Sequence, residues 1–105
     1  MTEEQIARLQ TAIDKAENPG ACCYVVNGRP SCVIAQLYIL EGGSVDTLKE
    51  WGATVIGCVL NERHPAELAH YPKGLLQNLQ YLWDIGVDDA ESRREAMRKE
   101  VAKFI

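Results

Sequence analysis

The chain has 105 residues, of which 47% are hydrophobic and 25% charged, a balance that suits one folded core and excludes a disordered linker protein. One domain over 1–105 is expected. A formal net charge of −4 removes the bulk basic footprint of a nucleic-acid binder, and no run approaches the ~18 apolar residues of a membrane span.

The opening residues, Met1-Thr2-Glu3-Glu4-Gln5, place acids where a signal peptide would carry bases, so a cytoplasmic location with free thiols for the four cysteines is expected. The charge is uneven. Arg93, Arg94, Arg98, Lys99 and Lys103 outnumber Glu95 and Glu100 at the C-terminal end, while the rest of the chain carries the acidic surplus. A solvated helix face accounts for such a run.

Taken in order, Thr2 and Gln5 form a capping box, and Ile6, Leu9, Ile13 and Ala16 recur at helical spacing behind it, predicting a first helix from about 3 to 17. Asn18-Pro19-Gly20 stops it. Asn27-Gly28 is a preferred pair for a two-residue hairpin turn, because both central positions need positive φ. The hairpin then covers about 22–31 and pairs Val26 with Arg29, Val25 with Pro30, Tyr24 with Ser31 and Cys23 with Cys32. Pro30 falls at a non-hydrogen-bonded position, where its missing N–H is no loss.

Ser31 is the expected N-cap of an almost wholly apolar helix from Cys32 to Leu40, the central buried element. Gly42-Gly43 ends that helix, and Ser44 caps a short third one with Val45, Leu48 and Trp51 toward the core. Residues 53–60 combine β-branched content with a helical grouping of Val55, Ile56, Val59 and Leu60, and are assigned to helix. Asn61 to Pro72, which contains His64-Pro65 and Tyr71-Pro72, is expected to be the longest irregular connection, with a helical turn at Ala66 to Ala69. Leu75, Leu76, Leu79, Leu82 and Trp83 mark an amphipathic helix ended by Gly86. Asp88 with Glu91 offers a second capping box, opening a final helix with Ala90, Met97, Val101 and Phe104 on one side. The expected fold is α+β and mainly helical, with one short hairpin packed against about five helices.

No catalytic constellation is complete. Cys58, His64 and His70 lack zinc-knuckle spacing, neither histidine has an orienting carboxylate nearby in sequence, and no phosphate-binding glycine pattern occurs. No catalytic residue, metal or cofactor is therefore expected. The helix, glycine turn and helix after Ser31 invite a helix-turn-helix DNA-binding reading, but Asp46 and Glu50 would face the phosphates, so nucleic acid is not the expected partner. A thiol or zinc protein built on Cys23 and Cys32 is the third reading. What remains is a binding surface: Arg29 at the hairpin tip, Arg63, His64, His70 and Tyr71 in the long loop, and Arg94 and Arg98 on the final helix are read as exposed groups without an internal role.

The spacing Cys22-x-Tyr24-Val25-x-x-Gly28-x-Pro30-x-Cys32, followed by an apolar helix, resembles a group of small bacteriophage and bacterial proteins of unassigned function. The run from Leu75-Leu76 through Asp84-x-Gly86 is similar to their C-terminal half. The resemblance implies a phage-like origin and a bacterial cytoplasm, and it makes Cys22 rather than Cys23 the first motif cysteine. A small non-enzymatic interaction protein that binds a bacterial host or defence protein is the leading expectation, with self-association through the last two helices also open.

Overall fold

Thr2 and Gln5 close the predicted capping box: the Thr2 N–H donates to Gln5 Oε1 at 2.8 Å, and the Gln5 N–H donates to Thr2 Oγ1 at 3.1 Å. Helix α1 follows over Glu3–Lys15 and buries Leu9, Ala12 and Ile13. It stops two residues short of the expected 17 because Glu17 donates its N–H to the Ser31 carbonyl (2.7 Å) rather than continuing the helical ladder. This computed structural model describes residues 1–21, 23–52, 54–86 and 88–105.

The hairpin has the predicted register. Strands β1 (Val25–Val26) and β2 (Arg29–Pro30) are antiparallel, with Val25 opposite Pro30 and Val26 opposite Arg29. Asn27 and Gly28 take φ of 53° and 75°, the pair of positive values that a type I′ turn demands. The Ser31 N–H closes on the Tyr24 carbonyl at 2.9 Å, and the pairing ends there. Cys23 and Cys32 are not partners: Cys23 is exposed, whereas Cys32 turns inward and is buried. Cys22 lies outside the described residues.

Ser31 does not cap the next helix. The N-cap is Cys32, whose side chain makes no capping bond. Ser31 is buried, donates its hydroxyl to the Glu17 carbonyl at 3.2 Å and accepts from Asn18 Nδ2 at 3.0 Å. The need to satisfy backbone polar groups where α1 leaves its ladder outweighs the capping preference. Helix α2 (Val33–Leu40) then buries Val33, Ile34, Ala35, Leu37 and Tyr38 between α1 and α5, as its apolar run requires.

Gly42 adopts φ of +96° and Gly43 lies against the Tyr38 ring, where a Cβ would overlap it. Ser44 caps α3 (Val45–Trp51) by accepting the Thr47 N–H at 3.2 Å. The run after Thr54 is helical as expected, with α4 (Ile56–Cys58) passing into a π-helical turn, Val59–Arg63, that ends at His64 in the left-handed region. Ile56, Val59 and Leu60 enter the core, but Val55 does not. It is still in extended conformation before the helix and stands 66% exposed. Ala53, the start of the predicted run, lies outside the described residues.

A 3₁₀ turn at Ala66–Leu68 leads to α5 (Lys73–Ile85), and α6 spans Ala90–Ala102. Its N-cap is Asp89 rather than Asp88: the Asp89 carboxylate accepts the Ser92 N–H at 2.8 Å, while the Asp88 carbonyl is taken by Arg93 Nε at 2.9 Å. Met97 and Val101 are fully buried, whereas Phe104 lies past the helix end and is exposed. The buried side chains form one cluster drawn from every helix. The fold is α+β and mainly helical, and no helix among the described residues is long and apolar enough to cross a membrane.

Candidate functional cleft beside the fifth helix

Helix α5 carries two stripes. Leu75, Leu76, Leu79 and Trp83 are fully buried. Beside them Gln77, Tyr81 and Ile85 recur every four residues, and Gln80 and Asp84 stand one turn apart, so each set forms a row along the helix. The segment Thr54-Val55-Ile56 and the hairpin residues Cys23 and Tyr24 face this side of α5, and together these groups enclose a cleft of about 270 Å³. That is just below the ~300–1,000 Å³ of sites that hold drug-sized ligands. It suits a single side chain better than a nucleotide.

The rim is apolar and open. Val55 is 66% exposed, Tyr81 61% and Ile85 57%; three large apolar side chains gathered at one opening are the kind of patch that marks a contact surface. The back wall is rigid. Tyr24 is buried, its ring meets Trp51 edge-on at 5.3 Å, and its hydroxyl donates to the Thr54 carbonyl at 2.6 Å. Burial pushes its phenol above the ordinary value.

The floor is polar and incompletely satisfied. Gln80, 7% exposed, donates from Nε2 to Asp84 Oδ2 at 2.8 Å, while Gln80 Oε1 and Asp84 Oδ1 are buried without a hydrogen-bond partner among the described residues. Leaving a buried acceptor unpaired costs about 1–3 kcal/mol. Burial pushes the Asp84 carboxyl above its usual range, against the opposing effects of the Gln80 hydrogen bond and the Arg93 charge. Arg93 gives its own donors to the carbonyls of Trp83 (2.6 Å), Asp88 (2.9 Å) and Gly86, closing the end of α5. Beneath the floor, burial pushes the Cys32 thiol up to about 11, opposed by hydrogen bonds that include one from Gln80. It is protonated at neutral pH and is no nucleophile.

The residues read from the sequence as a binding surface are dispersed. Arg29 is exposed at the hairpin tip, 3.5 Å from Glu17, and borders a shallow depression that also touches Arg94. Arg94 has an internal role after all: it donates to the carbonyls of Ile13 (3.2 Å) and Ala16 (2.8 Å), and its guanidinium lies 5.3 Å over the Trp83 ring. Arg98 is engaged by Asp14 at 2.7 Å and Glu91 at 3.2 Å. Both arginines fasten α6 to the end of α1, where the freed carbonyls of a terminating helix need donors.

Arg63, His64 and His70 are exposed, but Asn61 to Arg63 belong to the π-helical turn rather than to the irregular connection expected from Asn61. His64 and Tyr71 border a separate hollow of about 120 Å³. Tyr71 itself is buried, not exposed as expected. Its hydroxyl donates to Glu41 Oε1 at 2.6 Å, beside the Arg8–Glu41 ion pair, and burial pushes its phenol up to about 12. The proline after it sets the backbone as predicted, but the ring has a partner on α2's far end that sequence spacing does not announce. Of the motif positions, Tyr24 and Cys32 adjoin the cleft, Gly28 and Pro30 shape the hairpin, and among the described residues no three or more His, Cys, Asp or Glu converge as metal ligands.

Sequence reasoning missed Gln80, Asp84 and the apolar rim. A signal existed: Tyr81 and Ile85 are four residues apart and out of phase with the core row Leu75, Leu76, Leu79 and Trp83, a second apolar stripe on one helix. Helix α3, the would-be recognition helix, is seven residues long and exposes Asp46, Lys49 and Glu50.

Fold and site together define a small, mainly helical α+β domain with an open apolar cleft over a half-buried carboxylate. No protein-family model matches the chain, and no curated protein or solved structure gives a significant match.

Proposed function

We propose that this is a small non-enzymatic interaction protein that binds another protein through the cleft beside α5. The observation that carries the reading is the gathering of Val55, Tyr81 and Ile85, each more than half exposed, around one opening. Large apolar side chains held in water at a concave site lose unfavourable hydration when a partner covers them. The resemblance to phage and bacterial proteins makes a bacterial host or defence protein, met in the cytoplasm, the class of partner to seek.

The test is retention of protein from a bacterial lysate by the immobilised chain, compared with Val55→Asp and Ile85→Asp variants, which change exposed side chains and leave the core intact. A stoichiometric protein held by the native chain and by Arg98→Ala, but lost from both cleft variants, supports the proposal. A partner held equally by all forms, or recovery of duplex DNA in its place, overturns it.

A further inference from the structure

We propose that the cleft receives a basic side chain of the partner, an ammonium or guanidinium on an aliphatic stem, with Asp84 and Gln80 as its acceptors. This rests on the reading of the cleft as a protein-docking site and adds the chemistry of the occupant. Both unpartnered atoms of the floor, Gln80 Oε1 and Asp84 Oδ1, are acceptors, and the Gln80 amide N–H is already directed to Asp84. An occupant that satisfies them must donate. A hydroxyl or amide would donate, but it would leave the carboxylate charge unpaired in a desolvated place, which is the larger cost.

Position on the helix adds to the argument. Asp84 is in the last turn of α5, where the partial negative charge of the helix end disfavours a carboxylate and favours a cation. Arg93, whose charge favours the Asp84 carboxylate, directs donors to the carbonyls of Trp83, Gly86 and Asp88 and among the described residues makes no hydrogen bond to Asp84. The rim completes the match, since lysine and arginine carry a methylene stem that covers apolar surface while the head reaches a polar group. Val55, Tyr81 and Ile85 provide that surface. The two oxygens lie below the surface, and the soft terminal torsions of Asp and Gln allow them to turn toward an entering donor.

The experiment uses the full isotope-labelled chain and three blocked tripeptides, Ala-Lys-Ala, Ala-Arg-Ala and Ala-norleucine-Ala, titrated by NMR. The lysine or arginine peptide is expected to move the Gln80 side-chain amide and the Val55, Tyr81 and Ile85 resonances, and to bind about tenfold tighter than the norleucine peptide, as one charge-assisted hydrogen bond allows. Asp84→Asn, isosteric with the native side chain, should remove most of that preference. Gln80→Met, which keeps the volume but not the amide oxygen, should reduce it even if the first variant is poorly folded. Equal binding of the norleucine peptide overturns the basic-side-chain proposal and leaves the docking reading standing. Absence of any response at the cleft resonances also overturns it, while the docking reading is judged separately by the Val55→Asp and Ile85→Asp comparison.

Discussion

The guanidinium of Arg94 lies 5.3 Å above the indole of Trp83 while its N–H groups reach the carbonyls of Ile13 and Ala16. Trp83 in turn donates its indole N–H to the Glu17 carbonyl at 3.0 Å, so the two side chains together occupy the backbone acceptors where α1 ends. Replacing Arg94 by Ala removes both charged donors, leaving the Ile13 carbonyl with its long 3.4 Å bond from the Ala16 N–H and taking a 2.8 Å donor from the Ala16 carbonyl. The expected loss is about 1.5–3 kcal/mol of stability, read from urea unfolding. Arg94→Lys should recover little of it, because an ammonium cannot both lie flat on the ring and fork to two carbonyls. A lysine variant as stable as the native chain would show that charge alone matters there.

Gly43 and Gly74 should respond oppositely to alanine. A Cβ at Gly43 would overlap the Tyr38 ring, whereas one at Gly74, in the first turn of α5, meets nothing within 4 Å. Gly43→Ala is expected to destabilise by about 1–3 kcal/mol through overpacking. Gly74→Ala should stabilise by up to about 1 kcal/mol, since alanine restricts the unfolded chain and favours helix. Thermal melts of the two variants measure both, and a shift of the same sign in each would contradict the packing described.

Burial raises the Asp84 carboxyl above its ordinary value, so the folded chain holds this proton more tightly than the unfolded one. Stability therefore falls as pH rises from the ordinary carboxylate range through the raised value, and the full cost is present at neutral pH. Tyr24 and Cys32 beside it do not titrate in that window, because burial keeps both protonated. Asp84→Asn should thus melt higher than the native chain at pH 7, with the difference shrinking as pH drops below the ordinary carboxylate value. A difference that grows toward acid would reverse the assignment.

The thiols should separate by reactivity. Cys23 and Cys58 are exposed, and Cys32 is buried with its thiol pushed up to about 11. Iodoacetamide at mildly alkaline pH should label Cys23 and Cys58 in the native protein and reach Cys32 only after unfolding, as peptide mapping by mass spectrometry would record. Native labelling of Cys32 at a rate like that of Cys23 would refute the burial.

Local rules carried the sequence reading where the determinant lies within a few residues. Thr2 with Gln5, Asn27 with Gly28, and Ser44 ahead of α3 each fix a cap or turn through neighbours, and each stands where the letters placed it. The reading failed where a distant partner competes. Ser31 left its capping role for the end of α1, Tyr71 turned inward to Glu41, and Arg94 crossed to carbonyls about eighty residues back in the chain. The cleft was hidden for the same reason. Its walls come from the hairpin, the approach to α4 and the end of α5, and only the second apolar stripe on α5 was legible beforehand.

The clasp between the first and last helices also bears on how the chain reaches this shape. Arg98 meets Asp14 across 84 positions, and Met97 and Val101 fill the core only from α6. During synthesis the earlier helices can pack on one another through α2, but the side of α5 that α6 covers stays open until that closing element is made. Folding to the final state is thereby deferred until α6 has emerged, and a nascent chain halted before α6 should remain a target for chaperones and proteases.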